Sequence, residues 1–338
     1  MDKHSLTVGK LDPATLRQLI FSNLGRQDPR VILGPNIGED ATVIDFGDRA
    51  LVIHSDPITG AVENIGWHAV NVCANDIATR GVRPLWILTV LLLPEGVNAD
   101  KLKRITVQID EAAKELGVAV VGGHSEVTSG IDRPILITTA LGETPKEKFV
   151  RTSGAQVEDS IIVTKGAAIE GTSILSNELE SFLQTKIDKE TIIRAKRFIK
   201  KISVVKEALT AVEVGGVHAM HDATEGGIAV GLQEIAWASN VGVITYEKKI
   251  PIYKETEAIC QALKIDPLKT MSSGALIIAA HPEKTEKILA ALKDQGIRAA
   301  IIGKVVDKKE GMHVIRKDGT KLDLSKPVKE ELWKALKK

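Results

Sequence analysis

Apolar and polar positions along the chain alternate between two periods, and the change of period marks the elements. Leu16, Leu19, Ile20 and Leu24 recur at helical spacing behind Asp12, a candidate N-cap, and Pro13, so residues 10–24 read as a helix. Ala41–Phe46 and Ala50–Asp56 read as strands, the second ending in a carboxylate before Pro57. Gly66–Pro84 reads as one buried helix closed by Gly81 and Pro84, yet Asn71, Asn75 and Asp76 interrupt its apolar run. Leu85–Leu93 (LWILTVLLL) reads as a buried strand, and 99–116 as an amphipathic helix with Leu102, Ile105, Ile109, Ala112 and Ala113 inward. Val118–Val121 is expected to be a buried strand leading into a Gly122-Gly123 turn, followed by a strand over 135–142.

After a polar connector at Lys146–Ser153 the pattern repeats. A strand over 159–164 leads to Lys165-Gly166 and a helix from about Thr172. Residues 184–201 read as a solvated charged helix. Val217–Ala223 enters Thr224-Glu225-Gly226-Gly227 and a small-residue helix over 228–238. The SSG turn at 272–274 precedes the strand ALIIAA, and a helix and strand over 283–303 follow. Mixed helices and strands in two runs predict an α+β (mixed α/β) chain of two domains, 1–150 and 151–338.

Composition narrows the classes. Lys+Arg (45) and Asp+Glu (44) cancel to a net charge of +1, and aromatics are 3%, which argues against a nucleic-acid binder. Cys73 and Cys260 are the only cysteines, too few for a disulfide framework or a cysteine zinc cluster. MDKHSLTVGK lacks the apolar run of a signal peptide and no stretch reaches membrane-spanning length, so a cytoplasmic protein without membrane contact is expected.

The chemistry lies in the acids. Asp40, Asp56 and Asp76 come from three separate segments at element ends or within the buried helix. Brought together they would repel, and Mg²⁺ with phosphate oxygens as its remaining ligands relieves that repulsion. Glycine turns at Gly38, Gly122-Gly123 and Gly226-Gly227 offer backbone N–H groups to phosphates. No P-loop and no GxGxxG after a strand is present. His124 and His221 adjoin these motifs as candidate phosphate contacts or bases, whereas His68 reads as a core histidine. Lys165 is a candidate phosphate ligand, with a solvated lysine as the ordinary alternative.

GEDATVID (38–45), HSDPIT (54–59), NVCANDIATRGVRP (71–84), GGHSEV (122–127) and HDATEGG (221–227) together resemble the motifs of the PurM-like ATP-binding superfamily. That superfamily includes aminoimidazole ribonucleotide synthetase, thiamine-monophosphate kinase, selenophosphate synthetase and HypE, and the similarity spans roughly residues 34 to 280. The resemblance implies a first domain whose sheet pairs across a homodimer, a second α+β domain, and ATP with Mg²⁺ between them. It implies Asp40, Asp56 and Asp76 as metal residues, Asp76 and Glu126 as catalytic, and Asn75, Gly122, Gly123, Asp222, Gly226 and Gly227 as nucleotide-binding, to which the reading of the residues themselves adds His124 as catalytic and Gly38 and Lys165 as nucleotide-binding. Glu225 stands where HypE-like sequences tend to have arginine. The chain ends ELWKALKK without the reactive terminal cysteine of HypE, so phosphoryl transfer to an oxygen of a small-molecule acceptor is expected in place of the HypE dehydration. The alternative is a nucleotide-binding regulator, or partner of a maturation protein, with little turnover.

Overall fold

The computed structural model describes residues 9–59 and 63–337, and MDKHSLTV, the start of the segment read as lacking a signal peptide, lies outside them. The first sheet holds β1 (Val31–Leu33), β2 (Thr42–Phe46), β3 (Arg49–Ile58), β4 (Pro84–Pro94), β5 (Ala119–Thr128) and β6 (Ile135–Pro145), in the order β1-β2-β3-β6-β4-β5. Its neighbours are antiparallel except β4 and β5, which run parallel because a helix joins them. The longer helices of this half are α1 (Ile65–Thr79) and α2 (Ala99–Leu116). α2 presents only Ile105, Ile109, Ala112 and Ala113 as fully buried, the narrow stripe its periodicity predicts. α1 is buried along its whole length, as a helix apolar almost all round must be.

The second sheet holds β7 (Ser160–Thr164), β8 (Val217–Asp222), β9 (Gly242–Tyr246), β10 (Leu276–Ala280), β11 (Ala299–Val306), β12 (Met312–Ile315) and β13 (Lys321–Asp323), in the order β13-β12-β9-β11-β7-β10-β8. Its longer helices are α3 (Ile169–Glu178), α4 (Lys189–Lys196), α5 (Val205–Val214), α6 (Gly227–Ser239), α7 (Lys254–Leu263) and α8 (Pro282–Asp294). The fold is mixed α/β with two sheets, and α1 joins them. Ala74 and Ala78 pack into one core with Ile162, Val205, Ala208, Met220 and Ile278 of the second half. Small side chains let the helix approach closely enough for Asn75 to bond backbone on the far side.

Three expectations change. The helix over 10–24 is a single turn at Pro13–Thr15, capped by Asp12, continuing as a wider π-turn over Leu16–Ile20. The 184–201 segment is not wholly solvated, since Ile192, Ala195 and Phe198 are buried beneath its charges. β5 does not stop at its glycines and is not buried: it runs on through Thr128 as an exposed edge strand. Gly123 sits within it at φ +147°, where a Cβ would fall 1.8 Å from the Thr89 carbonyl oxygen. The glycine pair therefore permits close strand contact beside a register shift in β4, in place of the predicted turn.

Candidate active site

Two groups of metal-capable side chains face each other between the halves. Asp40, just before β2, meets His221 and Asp222 at the end of β8; His54 and Asp56 of β3 meet Asp76 of α1. In each group the nearest ligand atoms lie within 4.8 Å of one another. Strand ends and one buried helix thus converge four acids that lie far apart in sequence.

The electrostatics of the set are uneven. Burial raises the Asp76 carboxyl well above the ordinary carboxylate range, and the charges of Asp222, Asp40 and Asp56 add to it. Burial, then Asp40, pushes Asp222 up to about 7, with His221 and Lys10 opposing. Asp40 moves the other way: burial would raise it, but His221 and Arg80 outweigh burial and hold it below its usual range. His221 Nδ1 lies 2.5 Å from Asp40 Oδ1, and its Nε2 lies 2.6 Å from Glu234 Oε2. Burial would lower the imidazole, yet Asp40 and Glu234 together lift it to about 10, so His221 is a fixed cation at neutral pH. Burial lowers His54, whose Nε2 is 3.5 Å from Asp76 Oδ2.

Arg80, completely buried, pairs with Glu39 and lies 3.1 Å from Asp40 Oδ2. Glu39 in turn accepts the backbone N–H groups of Thr152 and Ser153, each at 3.1 Å, which ties the first half to the second beside the acids. Asp222 is the exception to this pairing. It is 1% exposed and neither carboxylate oxygen has a hydrogen-bond partner. A buried carboxylate left so is costly, and a hard cation with oxygen ligands is the group that relieves it, so these residues fit Mg²⁺.

Other residues singled out in the sequence lie elsewhere or are spent. Asn75 donates to Ile202 O and accepts from Val204 N, both at 2.8 Å, so its carboxamide staples the two halves and is not free for phosphate. Lys165 is neither solvated nor open: its Nζ lies 2.6 Å from Glu207 Oε1 and donates to Ser203 O at 2.5 Å. Gly38, at φ +79°, lets Asp40 approach α6, where a Cβ would meet the Glu234 carbonyl at 2.7 Å. The Gly226 amide donates to Glu330 Oε2 at 2.5 Å, and the Gly227 amide donates to Thr224 O at 3.0 Å. An internal carboxylate thus already occupies the start of α6, where a phosphate was expected.

Gly122, Gly123, His124 and Glu126 lie on β5, three places from β3 in the strand order. There His124 Nε2 lies 3.0 Å from Glu126 Oε2, with both side chains exposed. His68 is buried as expected, but its Nδ1 lies 2.9 Å from Glu170 Oε1 across the halves. Sequence reasoning did not single out His54, Glu39, Arg80, Glu234 or Lys10. Glu39 in GEDATVID, His54 in HSDPIT and Arg80 in NDIATRG carried a local signal beside Asp40, Asp56 and Asp76; Glu234 and Lys10 carried none.

The chain matches the N-terminal domain of the AIR synthase related proteins over 38–144 and their C-terminal domain over 156–315. A Methanocaldococcus jannaschii protein named for hydrogenase expression and formation is 31% identical over 311 residues, covering 90% of each chain. This chain belongs to the AIR synthase related family. Within that family, the carbamoyl dehydratase HypE of Rhizobium leguminosarum is 32% identical, covering 80% of this chain and 77% of its own. A HypE crystal structure in complex with ATP superposes with a TM-score of 0.69 at 25% identity, covering 95% of this chain and 97% of that one. HypE in a HypE–HypF complex gives 0.76 at 24% identity, over 93% of this chain and 100% of that one, a likeness of fold. The two-domain PurM-like architecture expected from the motifs is the architecture of this family member. Among the described residues no helix is long and apolar enough to cross a membrane.

Proposed function

We propose that this family member binds ATP with Mg²⁺ between its two halves and passes the γ-phosphoryl group to an oxygen of a small acceptor. The observation that carries this reading is the buried, unpaired Asp222 carboxylate facing three further acids drawn from the other half. The ATP complex of a HypE structure at 25% identity supports ATP as the nucleotide. Asp40, Asp56, Asp76 and Asp222 would hold the metal, which supplies charge neutralisation to the phosphates when bound.

The chain's own residues orient and restrain. His221, charged between Asp40 and Glu234, fixes the Asp40 carboxylate, and Arg80 holds the same group from its other side. In the transfer an acceptor oxygen forms a bond to the γ-phosphorus while the bond to the β-bridging oxygen breaks, and ADP leaves with that electron pair. Little covalent work falls to the protein, so positioning and electrostatics dominate. Neither cysteine suits the role of an acyl-carrying thiolate: Cys73 is buried and donates to Thr138 O at 3.0 Å, and burial pushes Cys260 up to about 12. We therefore place the acceptor on a separate small molecule. A homodimer formed through β5 and a maturation-protein partner belong to the same proposal, the latter supported by the HypE–HypF complex.

The test is Asp76→Asn in ADP-release assays across a panel of carboxamide, carbonyl and phosphate acceptors. Loss of one buried electrostatic contributor is expected to cut acceptor-dependent turnover by roughly 10²-fold or more. Unchanged turnover would contradict the metal role of Asp76.

A further inference from the structure

The cations around the acidic set differ in how free they are. Arg80 is completely buried and held by Glu39, Asp40 and Thr152, while His221 is pinned between Asp40 and Glu234. Lys10 is different. Its side chain is 48% exposed, and its Nζ lies 3.3 Å from Thr224 Oγ1 and 3.4 Å from Glu234 Oε1. Those contacts are longer than the roughly 2.7–2.9 Å of a tight charge-assisted hydrogen bond, so the ammonium keeps donors to offer.

The chain is also shaped to bring Lys10 there. Its backbone N–H donates to Glu225 Oε1 at 3.4 Å, and the Trp333 indole donates to the same oxygen at 3.4 Å. Gly9 has φ +115°, and a Cβ on it would stand 2.7 Å from Glu225 Oε1. At φ +115° a side chain would be strained, so glycine suits the course of the chain beside the 224–226 turn. An exposed ion pair contributes about 0–1 kcal/mol, too little to explain so close a seat as a stabilising device.

We propose that Lys10 is a phosphate-binding residue whose ammonium contacts the non-bridging oxygens of the nucleotide's terminal phosphoryl group, with Thr224 and Glu234 holding it in the free protein. This rests on the ATP reading above. The unpaired Asp222 carboxylate is the independent sign that the adjoining space takes a charged ligand. Glu225 then acts as a positioning residue: its carboxylate anchors the Gly9–Lys10 backbone and leaves the ammonium free.

The experiment measures Mg-ATP and Mg-ADP affinity by calorimetry for the full chain and for Lys10→Met, Lys10→Arg and Gly9→Val, with melting of the free proteins as a check on folding. Lys10→Met is expected to lose about tenfold or more in ATP affinity and less than about twofold in ADP affinity, the loss of one charged hydrogen bond to the terminal phosphoryl. Lys10→Arg should recover most of the discrimination, and Gly9→Val should lose it by displacing the segment. Mg-ATP binding by the unaltered chain, with unchanged ATP-over-ADP preference in Lys10→Met, would overturn the role of Lys10 alone. No Mg-ATP binding by the unaltered chain would overturn both readings.

Discussion

Asp222 is buried and Glu330 half-buried, both close to the Gly226-Gly227 turn, and their surroundings set opposite uses. Asp222 has no hydrogen-bond partner, whereas Glu330 accepts from Gly226 N at 2.5 Å, Leu332 N at 2.6 Å and Met271 N at 3.2 Å. Burial nevertheless pushes Glu330 up to about 7 from 4.5, against those donors. A carboxyl whose folded-state pKa is raised contributes stability that is full below about 4.5 and is lost as pH rises through about 7. Melting of the unliganded protein should therefore fall between about pH 4.5 and about 7, and Glu330→Gln should flatten that decline by roughly 3 kcal/mol across the window. An equally steep decline in the variant would show that other groups carry it.

At this scale the sequence told half the story. Asp40, Asp56 and Asp76 were legible because each ends an element beside a turn or breaks an apolar helix, and Asp222 entered through the family resemblance. Lys10, Glu234 and Glu330 were not, because each reaches its partner across long sequence separations: 224 residues for Lys10 to Glu234 and 104 for Glu330 to Gly226. No local pattern encodes such a meeting. Asn75 and Lys165 misled for the complementary reason: a polar side chain in an apolar context needs a partner, and here backbone and Glu207 supply it.

Among the elements, α1 and β5 show where periodicity suffices and where it fails. α1 is buried throughout, as its apolar run announced, whereas the backbone partners of Asn71 and Asn75 came only with the fold. β5 carries an apolar start, two glycines and polar residues, a pattern shared by a strand entering a turn and by an edge strand with a bulge. Only the close approach of Gly123 to Thr89 decides between them. The outcome matters for assembly. Val120, Val121 and Val127 are 47%, 55% and 59% exposed on an unpaired strand edge, the kind of surface proteins ordinarily cover or blunt. Pairing with a second copy, as proposed above, would cover it. Val121→Glu is expected to shift the protein from dimer to monomer in sedimentation equilibrium, with secondary structure unchanged by circular dichroism. A monomeric unaltered protein at micromolar concentration would remove the dimer from the proposal.

Across the whole molecule, two sheets with separate cores are joined by a buried helix, the tie from Glu39 to the Thr152 and Ser153 amides and the Asn75 staple, and the acids gather where those ties meet. Stability is given up at Asp222 and Asp76, whose carboxyls burial holds far from their ordinary range. A ligand that binds only the folded form restores it by mass action, about 2.7 kcal/mol at a hundredfold excess over Kd. The most direct test of that arrangement is a thermal-shift titration with ATP, with and without Mg²⁺, on the unaltered chain and on Asp222→Asn. The metal-binding reading predicts a magnesium-dependent rise in melting temperature with ATP that Asp222→Asn loses, although the variant melts no lower than the parent when unliganded. No shift with ATP and Mg²⁺ at millimolar concentration, or a shift that Asp222→Asn retains in full, would contradict it.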